Sequence, residues 1–553
     1  MIRAGINSIV TNNEGIISGP IQNLMLDSRG LGFAIFDTML EGRDSLAQVD
    51  AITGEEETYK SLLKRCIRTA IKMRSKGVTP DHRITICSYN NLHNSVPYIA
   101  SVFVGAKLTC LDPEFNSRDT ALLLSQIRPK MIFAGPEAIE LLENSIRESA
   151  ITTEIIIFGK SAVYEEFSTF LVPSPEEINF VPYRPLNLNE TVAIAYSSGT
   201  TGSPKGACIS HKAILSQVHY KWVSAASCPV PEFFNTQMTF ISFHWTPTVT
   251  IFLACVFSRK CRVIYPKFDI DTFWDVIEKT QVEFILLTPN DLQKLCRRGR
   301  REKVNIPHLV QIITTGGPVT KEQILEMKHM FSEVCILNVY GSSEAGGYSM
   351  SFRPLVYEEE RRLLLQKPDS CGRPREGVSC KVVDNETGEI LGPHQKGELR
   401  IKSDFQMSGY FNMDSSRCWD ADGWLKTGEI SYYDEDCCFF IVDRMRDMLK
   451  FRSWYLAPAK IEGILLSHPA VDAVVVVGLP HAQDGEHPIA AVVLRSHAVG
   501  TVTPEDIQNY VDQRVEDHYR LRGGVRFVDY IPVTSSGKNR RAAVKDLLLK
   551  HEI

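Results

Sequence analysis

The stretch that decides the fold is YSSGTTGSPKGA, residues 196–207, which combines three glycines with the four hydroxyl side chains of SSGTT and with Lys205. Glycines at this density let backbone approach a ligand closely, and hydroxyls beside a cation suit an anion. The apolar run TVAIAY (191–196) predicts a buried strand before the loop. Ser210 is placed as the N-cap of a helix in which Ile214, Val218 and Trp222 recur every four residues. A strand, a glycine loop and a helix in succession predict a phosphate site. The spacing differs from the Walker pattern GxxxxGK[ST], which is absent here.

Short apolar runs alternate with helical patterns on both sides of this loop. Between residues 83 and 160, ITICSY, KLTCLD, KMIFAG and EIIIFG predict strands, and VPYIASVFVGA and SRDTALLLSQI predict helices. Strands that are apolar on both faces and separated by helices indicate a parallel sheet covered on both sides. The pattern resumes after residue 236 with TFISF, CRVIYP, FILLTP, VQIITT and CILNVYG. The sequence therefore predicts an α/β fold with two doubly wound βαβ subdomains.

The pattern changes after residue 370. SCKVVDNETGEILGPHQKGELRIKS alternates apolar and polar residues around Asn-Glu-Thr-Gly, which predicts hairpins and a small β-barrel-like region. Beyond Asp443 a fresh α/β pattern begins, with VDAVVVVGLP and IAAVVLRS as strands. These shifts predict a large N-terminal domain over residues 1–443 and a small, mobile C-terminal lid domain over 444–553, with a hinge at Arg444–Arg446.

Composition narrows the class of protein. A formal net charge of -5 argues against a nucleic-acid binder, because neutralising phosphates needs an excess of basic side chains. The 14 cysteines are scattered without a CxxC pair, which is typical of reduced thiols rather than of a disulfide framework. The first residues lack a signal-peptide profile, uncharged stretches fall short of a membrane span, and the terminal KHEI is not the S-K-L address. We expect an intracellular protein, cytoplasmic or peroxisomal, without a transmembrane segment; nothing indicates a protein partner.

Six further motifs follow in order after the glycine loop. They are TTGGPV (314–319), NVYGSSEAGG (338–347), SGYFN (408–412), DGWLKTGEI (422–430), IVDRMRDMLK (441–450) and SSGKNRR (535–541). Together with SSGTTGSPKG and RLRGGVRFVD, this series resembles the adenylate-forming superfamily, which includes acyl-CoA synthetases, 4-coumarate–CoA ligases and beetle luciferases. The resemblance covers the chain from about residue 50 to its end.

The resemblance implies a site for ATP, Mg²⁺ and a small carboxylic acid, with CoA as co-substrate. The implied ATP-binding residues are Ser197, Ser198, Gly199, Thr200, Thr201, Gly202, Lys205, Gly316, Gly317, Asn338, Tyr340, Gly341, Ser342, Ser343, Glu429, Arg444 and Lys538. The implied catalytic residues are Lys205, Glu344, Lys450 and Lys538. Joining a carboxylate to the α-phosphate sets two anions against each other, so cations must neutralise the charge that develops.

Individual roles follow from the same resemblance. Glu344 would hold Mg²⁺, with Ser343 where threonine is usual, and Tyr340 would stack on adenine while Asn338 reads its amino edge. The ammonium of Lys538 would bridge the carboxylate and the α-phosphate in the transition state. His244 and Trp245 occupy the stretch that forms an aromatic gate beside the acyl pocket. A histidine in an apolar strand is equally well interpreted as a core residue, and the sequence leaves both readings of His244 open.

Four positions depart from the family pattern, all in the hinge and lid region. Glu429 replaces an aspartate that accepts both ribose hydroxyls, and Arg446 replaces the hinge lysine. Ser453 replaces a glycine on the thioester-forming face, and Lys460 reverses the charge of a glutamate, whereas Arg444 and Lys450 are kept. Adenylation is therefore better supported than thioester formation. Three functions stay open: an ATP-dependent acid–CoA ligase for a fatty or aryl acid, a luciferase-like oxidative enzyme, and a weakened paralogue that only binds nucleotide or acyl ligands.

Overall fold

A computed structural model of the chain describes residues 9–12, 14–21, 24–197, 204–220, 234–317, 319, 321–452, 454–533 and 539–550. These residues form a mixed α/β structure with a large N-terminal domain, built on two seven-stranded sheets and one antiparallel sheet, and a small C-terminal domain with a sheet of its own. This confirms the predicted fold class. No helix among the described residues is long and apolar enough to span a lipid bilayer.

The first seven-stranded sheet follows the glycine-loop half of the chain. In spatial order its strands are Lys205–Ser210, Thr191–Ser197, Lys107–Leu111, Arg83–Cys87, Met131–Ala134, Glu154–Ile157 and Glu165–Glu166. Every pair is parallel except the one between Lys205–Ser210 and Thr191–Ser197. Alternate residues of Met131–Ala134 enter two different hydrophobic clusters, Met131 and Phe133 on one face and Ile132 and Ala134 on the other. The sheet is thus covered on both sides, as predicted.

The second seven-stranded sheet repeats this architecture. Its strands are, in order, Cys335–Asn338, Gln311–Thr314, Phe284–Leu287, Thr236–Thr239, Cys261–Ile264, Leu46–Asp50 and Glu56–Thr58. The helices of the large domain are Leu31–Glu41, Tyr59–Ser75, Ser95–Val104, Ser117–Ile127, Ile139–Ser149, His211–Val218, Thr246–Ser258, Phe273–Thr280, Pro289–Arg298, Lys321–Met330 and Glu358–Gln366. The TFISF prediction was shifted, because the strand is Thr236–Thr239 and residues 240–243 have already left the sheet. The apolar run reflects burial: Phe240 and Phe243 are both core residues.

A six-stranded antiparallel sheet is the third large sheet of the N-terminal domain. Its strands are Val10–Thr11, Ile17–Ser18, Val378–Val383, Gly397–Ser403, Leu425–Tyr433 and Phe439–Arg444. A small sheet is formed by three strands that precede Val378–Val383 in the sequence: Tyr340–Ser342, Gly347–Ser351 and Arg373–Pro374. Side chains of the six-stranded sheet, such as Val382 and Leu399, belong to the same hydrophobic cluster as Phe133. One core therefore holds the large domain's antiparallel and first parallel sheets together.

The C-terminal part forms a five-stranded sheet covered by three helices. Its strands are Trp454–Leu456, Leu449–Phe451, Gly485–Leu494 and Val471–His481, with Gly524–Phe527 parallel to Gly485–Leu494, and its helices are Pro458–Leu466, Pro504–Asp512 and Arg541–Leu549. The chain leaves the six-stranded sheet at Arg444 and enters this one at Leu449. Mobility of this lid domain and its boundary at residue 443 stay predictions.

The arrangement around the glycine loop differs from the predicted strand, loop and helix. Residues 205–210 form a strand that pairs antiparallel with Thr191–Ser197, and the helix begins only at His211. The Ser210 side chain accepts a hydrogen bond from the backbone N–H of Ala213, as expected of an N-cap. Burial in Lys205–Ser210 does not alternate from residue to residue, so the segment lacks the usual sequence signal of a half-buried strand. The loop therefore joins two antiparallel strands, and the helix N-terminus lies six residues beyond it.

Candidate active site

Two paired strands hold the ends of the glycine loop. Ser197 and Lys205 are direct partners across the antiparallel pair, so the backbone fixes the first and last residues of the loop opposite each other. Ser198, Gly199, Thr200, Thr201 and Gly202 lie outside the described residues. The described geometry thus places the Lys205 ammonium beside the mouth of the loop.

Tyr410 connects this lysine to Glu344. Its hydroxyl donates a hydrogen bond of 2.9 Å to Glu344 Oε1, and the Lys205 Nζ lies 5.1 Å from the centre of its ring. Burial, together with the negative charge of Glu344, raises the pKa of Tyr410 far above its ordinary value. The phenol therefore stays protonated and donates to the carboxylate. We call Lys205, Tyr410 and Glu344 the charged cluster.

Glycines and hydroxyls shape the turn that carries Glu344. A Cβ at Gly346, where φ is +78°, would collide with the carbonyl oxygen of Phe405. The Ser342 hydroxyl accepts a bond of 3.1 Å from the Ala345 backbone N–H, and the Ser343 hydroxyl lies 2.7 Å from that of Thr246. These contacts fix the Glu344 backbone, whose carbonyl also accepts from the Met407 N–H. The segment 342–346 is consequently a rigid support for the carboxylate.

Asn338, Tyr340 and Gly341 lie where the chain passes from the edge strand of the second sheet to the first strand of the small sheet. Asn338 ends the strand Cys335–Asn338, and its amide nitrogen donates to the Asp369 carbonyl at 3.1 Å. Tyr340 is only 9% exposed, and its pKa is raised well above the ordinary value by burial and next by the charge of Glu429. At Gly341 a Cβ would meet the backbone of Gly347 on the neighbouring strand. The stacking of adenine on Tyr340 and the recognition of the amino edge of adenine by Asn338 stay predictions.

Trp245 lies against the TTGGPV segment. Gly316 has a φ of +97°, and a Cβ there would approach the Trp245 ring to 3.0 Å, whereas one at Gly317 would stay 3.7 Å from Pro289. Trp245 also precedes the helix Thr246–Ser258 as its N-cap residue. The fold therefore brings together two segments, 244–246 and 316–317, that the sequence had only associated by resemblance.

His244 belongs to a buried polar network. Its Nδ1 lies 2.8 Å from Asp112 Oδ2, and the Ser242 hydroxyl lies 2.8 Å from the same nitrogen while donating to Asp112 at 2.9 Å. Burial alone would raise the pKa of Asp112, but the neighbouring His244 and its hydrogen bonds lower it. The Phe115 ring stacks edge-on against the imidazole at 5.4 Å. His244 is thus held in one orientation.

An apolar cavity of about 60 Å³ lies between the first sheet and the helix Thr246–Ser258. Its lining includes Tyr98, Ala193, Ile194, His244, Leu253 and Gly346. His244 is accordingly a buried residue that also lines this cavity, and its part in a gate beside an acyl pocket stays a prediction. Gly346 sits two residues after Glu344, which sets the cavity next to the charged cluster.

Charged side chains surround the predicted hinge between the large domain and the lid. Glu429 is the cross-strand partner of Arg444, with 3.4 Å between Oε1 and the guanidinium Nε. Burial, followed by the nearby charge of Arg444, lowers the pKa of Arg446. The Lys450 ammonium lies 5.9 Å from the Tyr455 ring. Lys538 and Ser453 lie outside the described residues.

Two ion pairs join the lid to the large domain. Arg540 binds Asp119 at 2.7 Å, and Arg297 binds Asp472 at 2.8 Å. The first of these pairs sets Arg540, two positions after Lys538 in the sequence, against the helix Ser117–Ile127. The described contacts do not extend to the lysine itself.

Sequence reasoning missed three residues of this region. Tyr410 stands in SGYFN, a motif that was recognised without a role being assigned to its tyrosine. Asp112 and Ser242 hold His244, and their only sequence signal is that each closes an apolar run, KLTCLD and FIS. Tyr410 contacts Glu344 and Ser242 contacts Asp112 across more than 60 positions of sequence. A local sequence pattern does not record contacts of this kind.

Known proteins share this organisation. The family model described as AMP-binding enzyme matches residues 39–411, and the model of the AMP-binding enzyme C-terminal domain matches residues 460–538. A luciferin 4-monooxygenase of Photuris pensylvanica is 30% identical over 523 residues, covering 92% of each chain. The 4-coumarate–CoA ligase 4 of Arabidopsis thaliana is 27% identical over 516 residues, covering 91% of this chain and 88% of that one.

A solved structure carries the comparison into three dimensions. The luciferase-like enzyme from the nonluminescent mealworm Zophobas morio superimposes with a TM-score of 0.72 and 32% identity, covering 78% of this chain and 100% of that one. Matches to both family models, in order along one chain, agree with the predicted resemblance. The chain belongs to the AMP-binding enzyme family and is an adenylate-forming enzyme of that superfamily.

Proposed function

We propose that this enzyme joins a fatty or aryl carboxylic acid to the α-phosphate of ATP, releases pyrophosphate, and then transfers the acyl group to CoA. The observation that carries the proposal is the charged cluster beside the apolar cavity: Lys205 and Glu344 contact one tyrosine, and Gly346 lines the cavity. A reaction between an acid with an apolar body and a polyphosphate needs this combination of a cation, a hard oxygen ligand and an apolar recess.

The polyphosphate would bind at the mouth of the glycine loop. The Lys205 ammonium supplies positive charge there, and the hydroxyls of Ser197, Ser198, Thr200 and Thr201 supply hydrogen-bond donors. Lysine acts on phosphate as a point charge, so its effect depends on its position more than on bidentate geometry. Its contact with the Tyr410 ring limits the positions that the ammonium can take.

The residues at Glu344 fit a magnesium ion. A carboxylate is the oxygen ligand that Mg²⁺ prefers, and one or two such groups together with substrate phosphates are its usual protein partners. Glu344 would hold the ion, with the preceding Ser343 as a second oxygen donor. When bound, the ion would neutralise charge on the phosphates. Tyr410 orients the carboxylate through its hydrogen bond to Oε1.

The acid would enter the cavity beside His244 and Trp245. Burial of apolar surface supplies binding free energy of about 25 cal/mol per Å², which favours acids with an apolar body. The network of Asp112 and Ser242 holds the imidazole so that its ring forms part of the wall. Trp245, the next residue along the chain, lies against Gly316. The carboxylate would then face the charged cluster, where Lys538 of the lid balances the charge that develops.

Pyrophosphate release tests the first half-reaction. The enzyme is incubated with ATP, Mg²⁺ and a panel of fatty and aryl acids, with and without CoA. Acid-dependent release is expected, and Glu344→Gln should reduce it by about 10²–10³ because a charge partner of the transition state is lost. The matched control is Glu322→Gln, which removes an exposed carboxylate of the helix Lys321–Met330. Release by Glu344→Gln at the parent rate would contradict the role of Glu344.

Transfer to CoA is tested separately. Preformed acyl-adenylate is mixed with CoA in single-turnover experiments, using the parent and Ser453→Gly. Thioester formation by the parent supports a ligase, and faster transfer by the variant indicates that the serine side chain crowds the path of the thiol. Release of pyrophosphate without thioester would limit the activity to adenylation.

Two other functions remain as outcomes of the same assays. The 30% identity to a luciferin 4-monooxygenase and the 32% identity to a luciferase-like enzyme favour a luciferase-like oxidation as the second candidate. An oxygen-dependent photon signal with an adenylated acid would support it. Absence of pyrophosphate with every acid, together with measurable ATP binding, would support a binding protein instead.

A further inference from the structure

The lid carries a group of metal-binding side chains far in sequence from the charged cluster. Among the described residues, His481, Asp484 and His487 are the one set of three histidine, cysteine or acidic side chains whose ligand atoms all lie within 4.8 Å of one another. They occupy the tip of the hairpin between strands Val471–His481 and Gly485–Leu494. We call these three residues the hairpin triad.

The strand register puts both imidazoles on the same side of the hairpin. His487 lies opposite Leu479, and His481 lies opposite Gly485. Because residues two apart on a strand share a face, His481 is the diagonal neighbour of His487. Their rings stack at a centroid distance of 3.8 Å with 15° between the planes. Neither imidazole has to cross the sheet for both to reach one ion.

The distances around Asp484 suit coordination. Its Oδ2 lies 2.8 Å from His487 Nε2 and 3.5 Å from His481 Nδ1. Ligands bound to one tetrahedral zinc at about 2.0–2.1 Å lie about 3.3–3.4 Å apart. The Asp484 backbone N–H donates to His481 Nδ1 at 3.2 Å, so this nitrogen carries a lone pair, which a bound ion would take over from the N–H. The three atoms therefore need only small adjustments to share an ion.

The carboxylate is also held in place from behind. Arg452 donates to Asp484 Oδ1 at 2.7 Å, which is not the oxygen that faces the histidines. Each of the two Asp484 carboxylate oxygens therefore has its own neighbour, Oδ1 the Arg452 guanidinium and Oδ2 the His487 imidazole. The Arg452 backbone N–H binds the Asp484 carbonyl at 2.7 Å, and a Cβ at Gly485 would approach the Lys450 carbonyl to 2.7 Å. Supporting contacts of this kind orient the ligands of metal sites.

We propose that the hairpin triad is a binding site for a divalent transition-metal ion of the zinc type. Two imidazoles and one carboxylate select such ions over Mg²⁺, which prefers oxygen ligands alone. Three protein ligands leave a fourth position for water, since His481 is 39% exposed on its side chain. Because the triad is tied to Lys450 and Arg452, the ion would fix the hairpin against the lid segment that precedes Ser453. This site does not depend on the proposed function.

Zinc titration tests the proposal. The whole protein is freed of metal with a chelator, kept in Mg²⁺-containing buffer, and titrated with Zn²⁺ by calorimetry. We expect saturable binding of one equivalent, and a weakening of at least about tenfold in both His481→Gln and His487→Gln, because each removes one ligand. The control is His497→Ala, an exposed histidine outside the triad, which should bind as the parent does. Co²⁺ in place of Zn²⁺ should add visible absorption in the parent and in the control only.

Three results would overturn the proposal. They are absence of saturable Zn²⁺ binding by the parent, equal affinity in the parent and the doubly substituted His481→Gln, His487→Gln protein, and an equal loss of affinity in His497→Ala. Circular dichroism of each variant confirms that the fold is retained before the titration is interpreted.

Discussion

The charged cluster and the lid use charge in different ways. In the cluster, Lys205 and Glu344 both contact the neutral side chain of Tyr410. In the lid, charged groups contact one another: Lys460 binds Glu516 at 2.6 Å, and Arg541 binds Glu462 at 2.8 Å. A charged side chain that is positioned by a neutral neighbour can still attract a charged ligand. A charged side chain that is paired with an opposite charge instead contributes to the stability of the protein.

This difference predicts where substitutions act. Exposed ion pairs contribute about 0–1 kcal/mol to folding, so most charge changes on the lid surface should be mild. Changes at the cluster should affect the reaction by orders of magnitude and leave folding nearly unchanged. The four departures from the family pattern fall in the hinge and lid region. Three of them, Glu429, Arg446 and Lys460, each have an oppositely charged neighbour.

The largest expected effect belongs to Lys538, the lid residue assigned to the adenylation step. Lys538→Ala should lower the rate of adenylate formation by about 10²–10³ while leaving ATP affinity nearly intact, because the ammonium acts on transition-state charge. Pyrophosphate release and ATP dissociation constants measure the two quantities. Lys550→Ala, at an exposed position in the same C-terminal segment, is the control. Pyrophosphate release at the parent rate would remove Lys538 from the mechanism.

Glu429→Asp should tighten ATP binding by about 1.5–3 kcal/mol if the shorter side chain reaches both ribose hydroxyls. In the present structure the glutamate lies 3.4 Å from the Arg444 guanidinium, so the proposed ribose contact would compete with that arginine. Calorimetric titration with ATP checks the prediction, and Glu429→Gln, which keeps the length and removes the charge, should weaken binding. Weaker binding by Glu429→Asp would mean that the surrounding backbone has adapted to glutamate.

Gly346→Ala should lower the free energy of unfolding by about 1–3 kcal/mol, because the new Cβ forces the Phe405 backbone away. Gly388→Ala is the matched control: its φ of +77° is similar to the +78° of Gly346, but a Cβ there meets nothing within 4 Å. Urea unfolding of both variants separates the collision from the strain of a left-handed backbone. An equal loss in the two proteins would show that the close approach to Phe405 contributes nothing.

The smallest effect is expected at Lys460, where the family pattern has a glutamate. Lys460→Ala should change stability by less than about 1 kcal/mol and leave pyrophosphate release unchanged, since its pair with Glu516 is exposed. Its stack on the Tyr519 ring, at 4.2 Å, adds only a surface contact. Thermal unfolding measures the change, and Glu516→Ala should match it if the ion pair is the cause. A loss of activity in Lys460→Ala would extend the site to this face of the lid.

Sequence alone determined the layers of this protein. Runs such as KMIFAG and EIIIFG are apolar on both faces, and only a sheet covered on both sides buries them, so the two parallel units could be predicted. The order of the motifs determined the family, because each motif is a short local pattern. Local patterns also gave the Ser210 cap, whose hydrogen bond spans three residues.

Tertiary structure decided the rest. Lys205–Ser210 became a strand because a partner strand, Thr191–Ser197, was available, although the sequence suited the lead-in to a helix. Tyr410 acquired its role only where the fold brought it to Glu344, 66 positions away, and Asp112 only where it met His244. Such contacts depend on distance in space and on burial, which removes competing water. A linear pattern records neither, so the sequence could predict which chemistry is present while the fold decided which side chains share it.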